Sequence, residues 1–215
     1  MAGRGLHEST RAHGPQGSRP GSHALRPAGS PQEPDGTIRR QAAESRDRAL
    51  DRSLVRIRDL AGRPRGTGFA ADHRGTVITS HEAVDGLSRL VVHAPGAGER
   101  SCVVTSDAIT ALPALNLALV RTEGLGVEPL PVTVRDGARS GTYVRIAADC
   151  WREARVLGAA TVTYTATDRS HLLEGVAELA IGTAGRDALR LGGGAAGGPV
   201  LDVTTGAVVA VLGTA

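Results

Sequence analysis

Lysine is absent from this 215-residue chain, so all 25 of its basic residues are arginine. That excludes a phosphate-loop lysine, a Schiff-base lysine and a Ser–Lys dyad together. Aromatic residues are almost as scarce: Phe69, Tyr143, Trp151 and Tyr164 are the whole set. Base-stacking platforms for single-stranded nucleic acid cannot be assembled from so few, and the core must be built from Val, Leu, Ile and Ala. Cysteine occurs twice, as Cys102 and Cys150, without metal-ligand spacing. Two such thiols read as ordinary packing residues in a reducing compartment. No window approaches the roughly 18 uninterrupted apolar residues that a membrane-spanning helix needs. The first 37 residues hold no apolar run that could serve as the core of a signal peptide. These absences lead to the expectation of a cytoplasmic chain with no metal, no cofactor and no membrane partner.

Charge is distributed unevenly. Residues 1–50 carry eight Arg against five acidic residues, whereas residues 51–215 carry seventeen of each, so the net charge of +3 belongs to the N-terminal stretch. A neutral domain offers no basic footprint for nucleic acid, and none is expected as a partner. The stretch itself, rich in Gly, Pro, Ser and Arg, reads as a disordered arm over residues 1–50, with a short lead-in helix from Ile38 to about Asp51.

From Ser53 the pattern changes to short β-branched and apolar runs separated by Gly, Pro, Asp and Asn. That spacing is expected of a sandwich or barrel. Six candidate strands fall at 54–58, 66–72, 75–80, 88–94, 101–107 and 117–122. A Gly- and Pro-bearing connector runs through Leu125 to Arg139. Five more strands follow at 142–148, 151–165, 175–182, 198–202 and 207–213. Two halves of similar strand number imply an all-β fold of two antiparallel barrels, at about 53–123 and 140–215, each closing its own edges.

Three segments stand in a telling order: GTGFAADHRGTVITSHEAVDG (66–86), LPALNLALVR (112–121) and GGGAAGGPVLD (192–202). The first is similar to the Gly-x-Gly-Phe strand, hairpin and Thr-x-x-His turn of the trypsin-like serine peptidases of the short bacterial kind. The second resembles that family's Asp-Leu-Ala-Leu strand, and the third its Gly-x-Ser-Gly-Gly-Pro nucleophile loop. PLPVTVRDGARSGTYVRIA (129–147) resembles the start of the second barrel. The resemblance spans nearly all of residues 53–215 and implies six-stranded barrels. The chain would then stop before the last strand of the second barrel, leaving AVVAVLG as an exposed apolar edge, as expected of the N-terminal part of a longer polypeptide with further C-terminal domains.

A peptidase of this kind needs a serine oxygen, an imidazole to take its proton, a carboxylate to hold the imidazole, and backbone N–H groups aimed at the oxyanion. The position matching the nucleophile is Ala196, whose methyl group can neither attack nor donate. The position matching the carboxylate is Asn116, and an amide there cannot balance an imidazolium. Only Ser80 separates Thr79 from His81, one residue fewer than the family places there. Either His81 faces the cleft across a one-residue deletion, or Glu82 occupies the imidazole position. The glycine framework of Gly194, Gly197, Gly198 and Pro199 remains, so the resemblance implies an oxyanion pocket at Gly194 and Ala196, with Gly194 free to take a positive φ. The alternative is a flexible Gly-rich loop tip.

Other sets are weaker. Asp168, Ser170 and His171 lie within four residues, close on a loop and without convergence. His73 beside Asp72 reads as a solvated hairpin turn, and His7, His13 and His23 have no zinc-site spacing. The combined expectation is a proteolytically inactive pseudo-peptidase that binds a protein or peptide segment in the cleft between barrels, or acts as a sensor or adaptor. An active serine endopeptidase using Ser80, Ser101 or Ser170 is one alternative, and a structural module of a larger polypeptide is another.

Overall fold

A computed structural model describes residues 36–133, 139–148, 150–183 and 194–213. Most of the expected arm, and Gly192 and Gly193 of the glycine-rich loop, lie outside them. The lead-in helix is α1 (Gly36–Asp51), exposed along most of its length. Strands β1 (Leu54–Arg58), β2 (Pro64–Ala70), β3 (Thr76–Thr79), β4 (Arg89–Ala94), β5 (Arg100–Thr105), β6 (Ile109–Leu112) and β7 (Leu117–Arg121) follow. They form one antiparallel sheet in the order β5-β4-β1-β2-β3-β7-β6. β5 and β6 are separated only by the 3-10 turn Ser106–Ala108, so the chain itself carries the sheet from one end of that order to the other. Alternation places Val55, Ile57, Val77, Leu90, Val92 and Val120 inside this curled sheet, all nearly inaccessible.

The second sheet has the order β10-β9-β8-β11-β12, from β8 (Tyr143–Ala147), β9 (Trp151–Thr165), β10 (Ser170–Ile181), β11 (Pro199–Asp202) and β12 (Val208–Val211). Val144, Ile146, Val156 and Val200 form its core. A third cluster joins the halves: Phe69 of β2 packs with Leu130, Ala147, Trp151, Leu201 and Val208. The fold is thus two curled antiparallel sheets with a shared seam.

Two expectations need correction, whereas the segment AVVAVLG does supply the end strand of its sheet, which the connector covers only at its start: Val208 N–H donates to Pro131 O (2.7 Å) and Thr133 N–H to Val208 O (3.1 Å). Leu212 at its far end exchanges bonds with Gly197 N–H and Gly198 O, both at 2.8 Å. β10 begins at Ser170 rather than 175, since Gly175 (φ 70°) is a bulge inside the strand and not its boundary. Cys102 is half-buried as a packing thiol, but Cys150 is exposed.

Candidate functional site

β3 ends at Thr79, whose hydroxyl donates to Thr67 O at 2.7 Å and fixes the point where the chain turns into the 3-10 turn His81–Ala83. On the neighbouring strand pair, the 3-10 turn Pro113–Leu115 ends at Asn116, held in the left-handed region (φ 48°, ψ 42°). Asparagine tolerates that conformation better than most residues. The two turns meet through the backbone, His81 N–H donating to Asn116 O at 3.1 Å.

The side chains pair differently from the backbone. Asn116 Oδ1 accepts from the Glu82 N–H at 3.2 Å, and its Nδ2 donates to Glu82 Oε1 at 3.2 Å. A carboxylate only accepts, so the amide must turn its NH2 toward Glu82 and its oxygen toward the backbone donor. The His81 imidazole lies elsewhere: its Nδ1 shares a 2.8 Å hydrogen bond with the Tyr164 hydroxyl, and the rings meet edge-on at 5.7 Å. His81 and Asn116 are both buried.

Ala196 sits on the loop leading into β11, buried, with its carbonyl accepting from Thr67 N–H at 2.7 Å. Thr67 also donates its hydroxyl to Gly194 O, so one residue of β2 holds this loop at two points. The approach is close. A Cβ on Gly66 would come within 2.7 Å of Ala196 O and 2.6 Å of the Ala83 side chain. The positive φ in this loop is at Gly197 (86°), where a Cβ would lie 2.1 Å from Thr79 Oγ1 and 2.2 Å from Thr67 O. Gly213, beyond β12, closes the ring of contacts: a Cβ there would stand 3.3 Å from Asn116 Nδ2 and 3.6 Å from Glu82 Oε1. The three segments of the sequence therefore meet at one junction between the sheets, with Glu82 rather than His81 against the Asn116 side chain.

Other candidates do not converge. Asp168 faces Arg169 in an exposed pair at 3.7 Å, Ser170 Oγ lies 3.3 Å from Thr165 Oγ1, and His171 is a buried residue of β10. His73 is exposed at the β2–β3 turn, where Asp72 accepts from Arg74 N–H and from Thr76. Of the three serines considered as nucleophiles, Ser80 is fully buried with its hydroxyl unpartnered, and Ser101 and Ser170 are exposed.

Sequence reasoning missed Tyr164. It is one of only two tyrosines, which is the one signal that could have singled it out. Besides His81 it stacks on His171, with centroids 6.1 Å apart. Its phenol is pushed up to about 12, first by burial and then by the carboxylates of Asp85, Glu82 and Asp168, against the opposing Arg65. At neutral pH it is a protonated hydroxyl and no nucleophile. No group of metal-ligating side chains gathers among the described residues, nor is any helix there long and apolar enough to cross a membrane.

Comparison with known proteins bears on the fold. Among solved structures, the active form of the Rv3671c protease from M. tuberculosis is 20% identical, with a TM-score of 0.58 over 87% of this chain and 82% of that one. The MamO protease domain from Magnetospirillum magneticum is 15% identical, with a TM-score of 0.59 over 76% and 84%. Deg5 is 19% identical, with a TM-score of 0.58 over 84% and 87%. These likenesses concern the fold alone. No curated protein matches the sequence. The trypsin-like peptidase domain family matches residues 66–211, more than half of the chain, and the chain belongs to that family.

Proposed function

We propose that this domain is a pseudo-peptidase, which retains the cleft between the sheets to hold an extended peptide and does not hydrolyse it. One observation carries the reading: the Glu82 carboxylate pairs with the Asn116 amide where a peptidase of this family needs an imidazole paired with a carboxylate. On this reading Glu82 has taken the imidazole's place, and Ala196 offers no atom to attack or to receive a proton. A carboxylate with no oxygen nucleophile beside it cannot start acyl transfer. Backbone pairing along a strand is the recognition chemistry that such a cleft still supports.

The test is labelling and turnover together. Purified protein is expected to hydrolyse neither casein nor small ester substrates, and a fluorophosphonate is expected to label no serine. Stoichiometric labelling at any serine would overturn the proposal and favour an active endopeptidase. A library of extended peptides is expected to yield ligands near the micromolar range, about −8 kcal/mol; a library without binders would favour a purely structural module.

A further inference from the structure

β9 and β10 are much longer than the other strands, and most of their length has no third strand beside it. β8 pairs with β9 from Trp151 to Arg155, and residues 140–142 just before β8 extend that contact to Val156 and Leu157, so beyond Leu157 the hairpin is a two-stranded ribbon. An isolated ribbon is at best marginally stable in water. This one has a small cluster of its own, Tyr164, Ala166 and Leu173, with Val162 and Val176 against it. Its remaining anchorage is at the tip, on the opposite sheet. Tyr164 bonds His81, and Asp85 Oδ2 accepts from both the N–H and the hydroxyl of Thr167, at 2.7 and 2.8 Å. β10 also runs beside the turn Pro113–Leu115 that precedes Asn116. Two irregularities interrupt the pairing behind the tip, one at Glu174–Gly175 and one at Leu157. On the ribbon itself His171 stacks on Tyr164 but is buried with its Nε2 unpartnered, a cost that the closed state carries.

We infer that this outer ribbon is a latch: closed, it covers the segments His81–Asp85 and Pro113–Leu115, and it opens at the Gly175 bulge without unfolding either barrel. The inference stands on the anchoring contacts and does not require the pseudo-peptidase reading. Opening would uncover the turn that carries Glu82 and the one that ends at Asn116. The device is therefore placed to gate access to the junction, whatever the junction binds.

Diethylpyrocarbonate, which modifies accessible imidazoles, reads this opening by mass spectrometry. His81 lies in the turn that the tip covers and His171 on the ribbon itself, both buried, while His73 is exposed and His93 sits in β4 away from the ribbon. In the full chain, Asp85→Ala combined with Tyr164→Phe is expected to speed modification of His81 and His171 about tenfold, the scale set by losing a hydrogen bond to a charged group. His73 and His93 should keep their rates. Unchanged rates at His81 and His171, or acceleration of His93 along with them, would overturn the latch. Hydrogen exchange on the unaltered protein supplies the independent check. Amides of residues 159–173 should exchange well before those of β2 and β11, and exchange of all three together would equally overturn it.

Discussion

Asparagine at 116 is complementary to Glu82 in a way that aspartate would not be. Its amide satisfies a backbone donor and a carboxylate at once, each at 3.2 Å. Asn116→Asp would set two carboxylates against each other, and like charges at that separation cannot both ionise without a large cost. One of the pair would have its folded-state pKa raised above the unfolded value, so the folded variant would bind an extra proton. Its stability would be fully present below the unfolded carboxylate range and lost as pH rises through the raised value. The expected result is a deficit of about 1–3 kcal/mol at pH 7 that shrinks toward pH 5, read from melts across that range. A deficit independent of pH would remove Glu82 from the account. For the same reason Ala196→Ser alone should restore no esterase activity, and adding Asn116→Asp should not help. Only Ala196→Ser with Glu82→His and Asn116→Asp is expected to hydrolyse an ester, with a rate that rises through an imidazole pKa near 6.5. Activity from the single serine variant would refute the proposed role of Glu82. The sequence leaves His81 and Glu82 open as alternatives because the turn is one residue short. What distinguishes their side chains is a partner 34 residues away from Glu82 and another 83 residues away from His81, and no local pattern encodes either pairing.

At the scale of elements, the loop into β11 is held by contacts too close for any side chain at Gly197. A methyl group there would meet Thr79 Oγ1 and the Thr67 carbonyl at little more than 2 Å, on a backbone already at φ 86°. Strand backbone cannot yield as a flexible side chain would, so overpacking and the left-handed φ both count against Gly197→Ala. A loss of about 2–4 kcal/mol is expected in urea denaturation. A neutral substitution would mean that this loop does not dock on β2 and β3. Most strands were legible, since period-2 burial of Val, Leu and Ile marks them without help from distant residues. β6 was not, because Ile109–Leu112 is a short piece cut off by the turn at Ser106–Ala108 and stopped by Pro113. The start of β10 was hidden for a different reason: polar Ser170 and His171 ahead of a glycine look like loop, yet they pair with Thr165 and Tyr164 across the ribbon.

For the whole molecule, the last turn of α1 joins the helix to the seam between the sheets. Asp47 accepts from Arg145 at 2.5 Å, Asp51 accepts from the Trp151 indole N–H at 2.9 Å, and Leu50 packs against the cluster around Phe69 and Trp151. The spacing of three and four residues puts all of them on one helix face. Arg145 in turn lies over the indole ring, 5.6 Å from its centre. Trp151 is therefore the point where helix, second sheet and seam meet, and it is the only tryptophan in the chain. Asp51→Ala would leave a buried indole N–H without its charged acceptor, at an expected cost of about 1–3 kcal/mol. Because fluorescence then has a single source, the same substitution should move the emission of the folded protein as the indole loses that partner. Asp47→Ala should instead leave the emission nearly in place while weakening the helix, since Arg145 keeps its stacking on the ring. If both variants leave emission and stability untouched, α1 does not dock on the seam, and the two sheets are held together without the helix, by the Phe69 cluster and the contacts of Thr67, His81 and Asp85 across the junction.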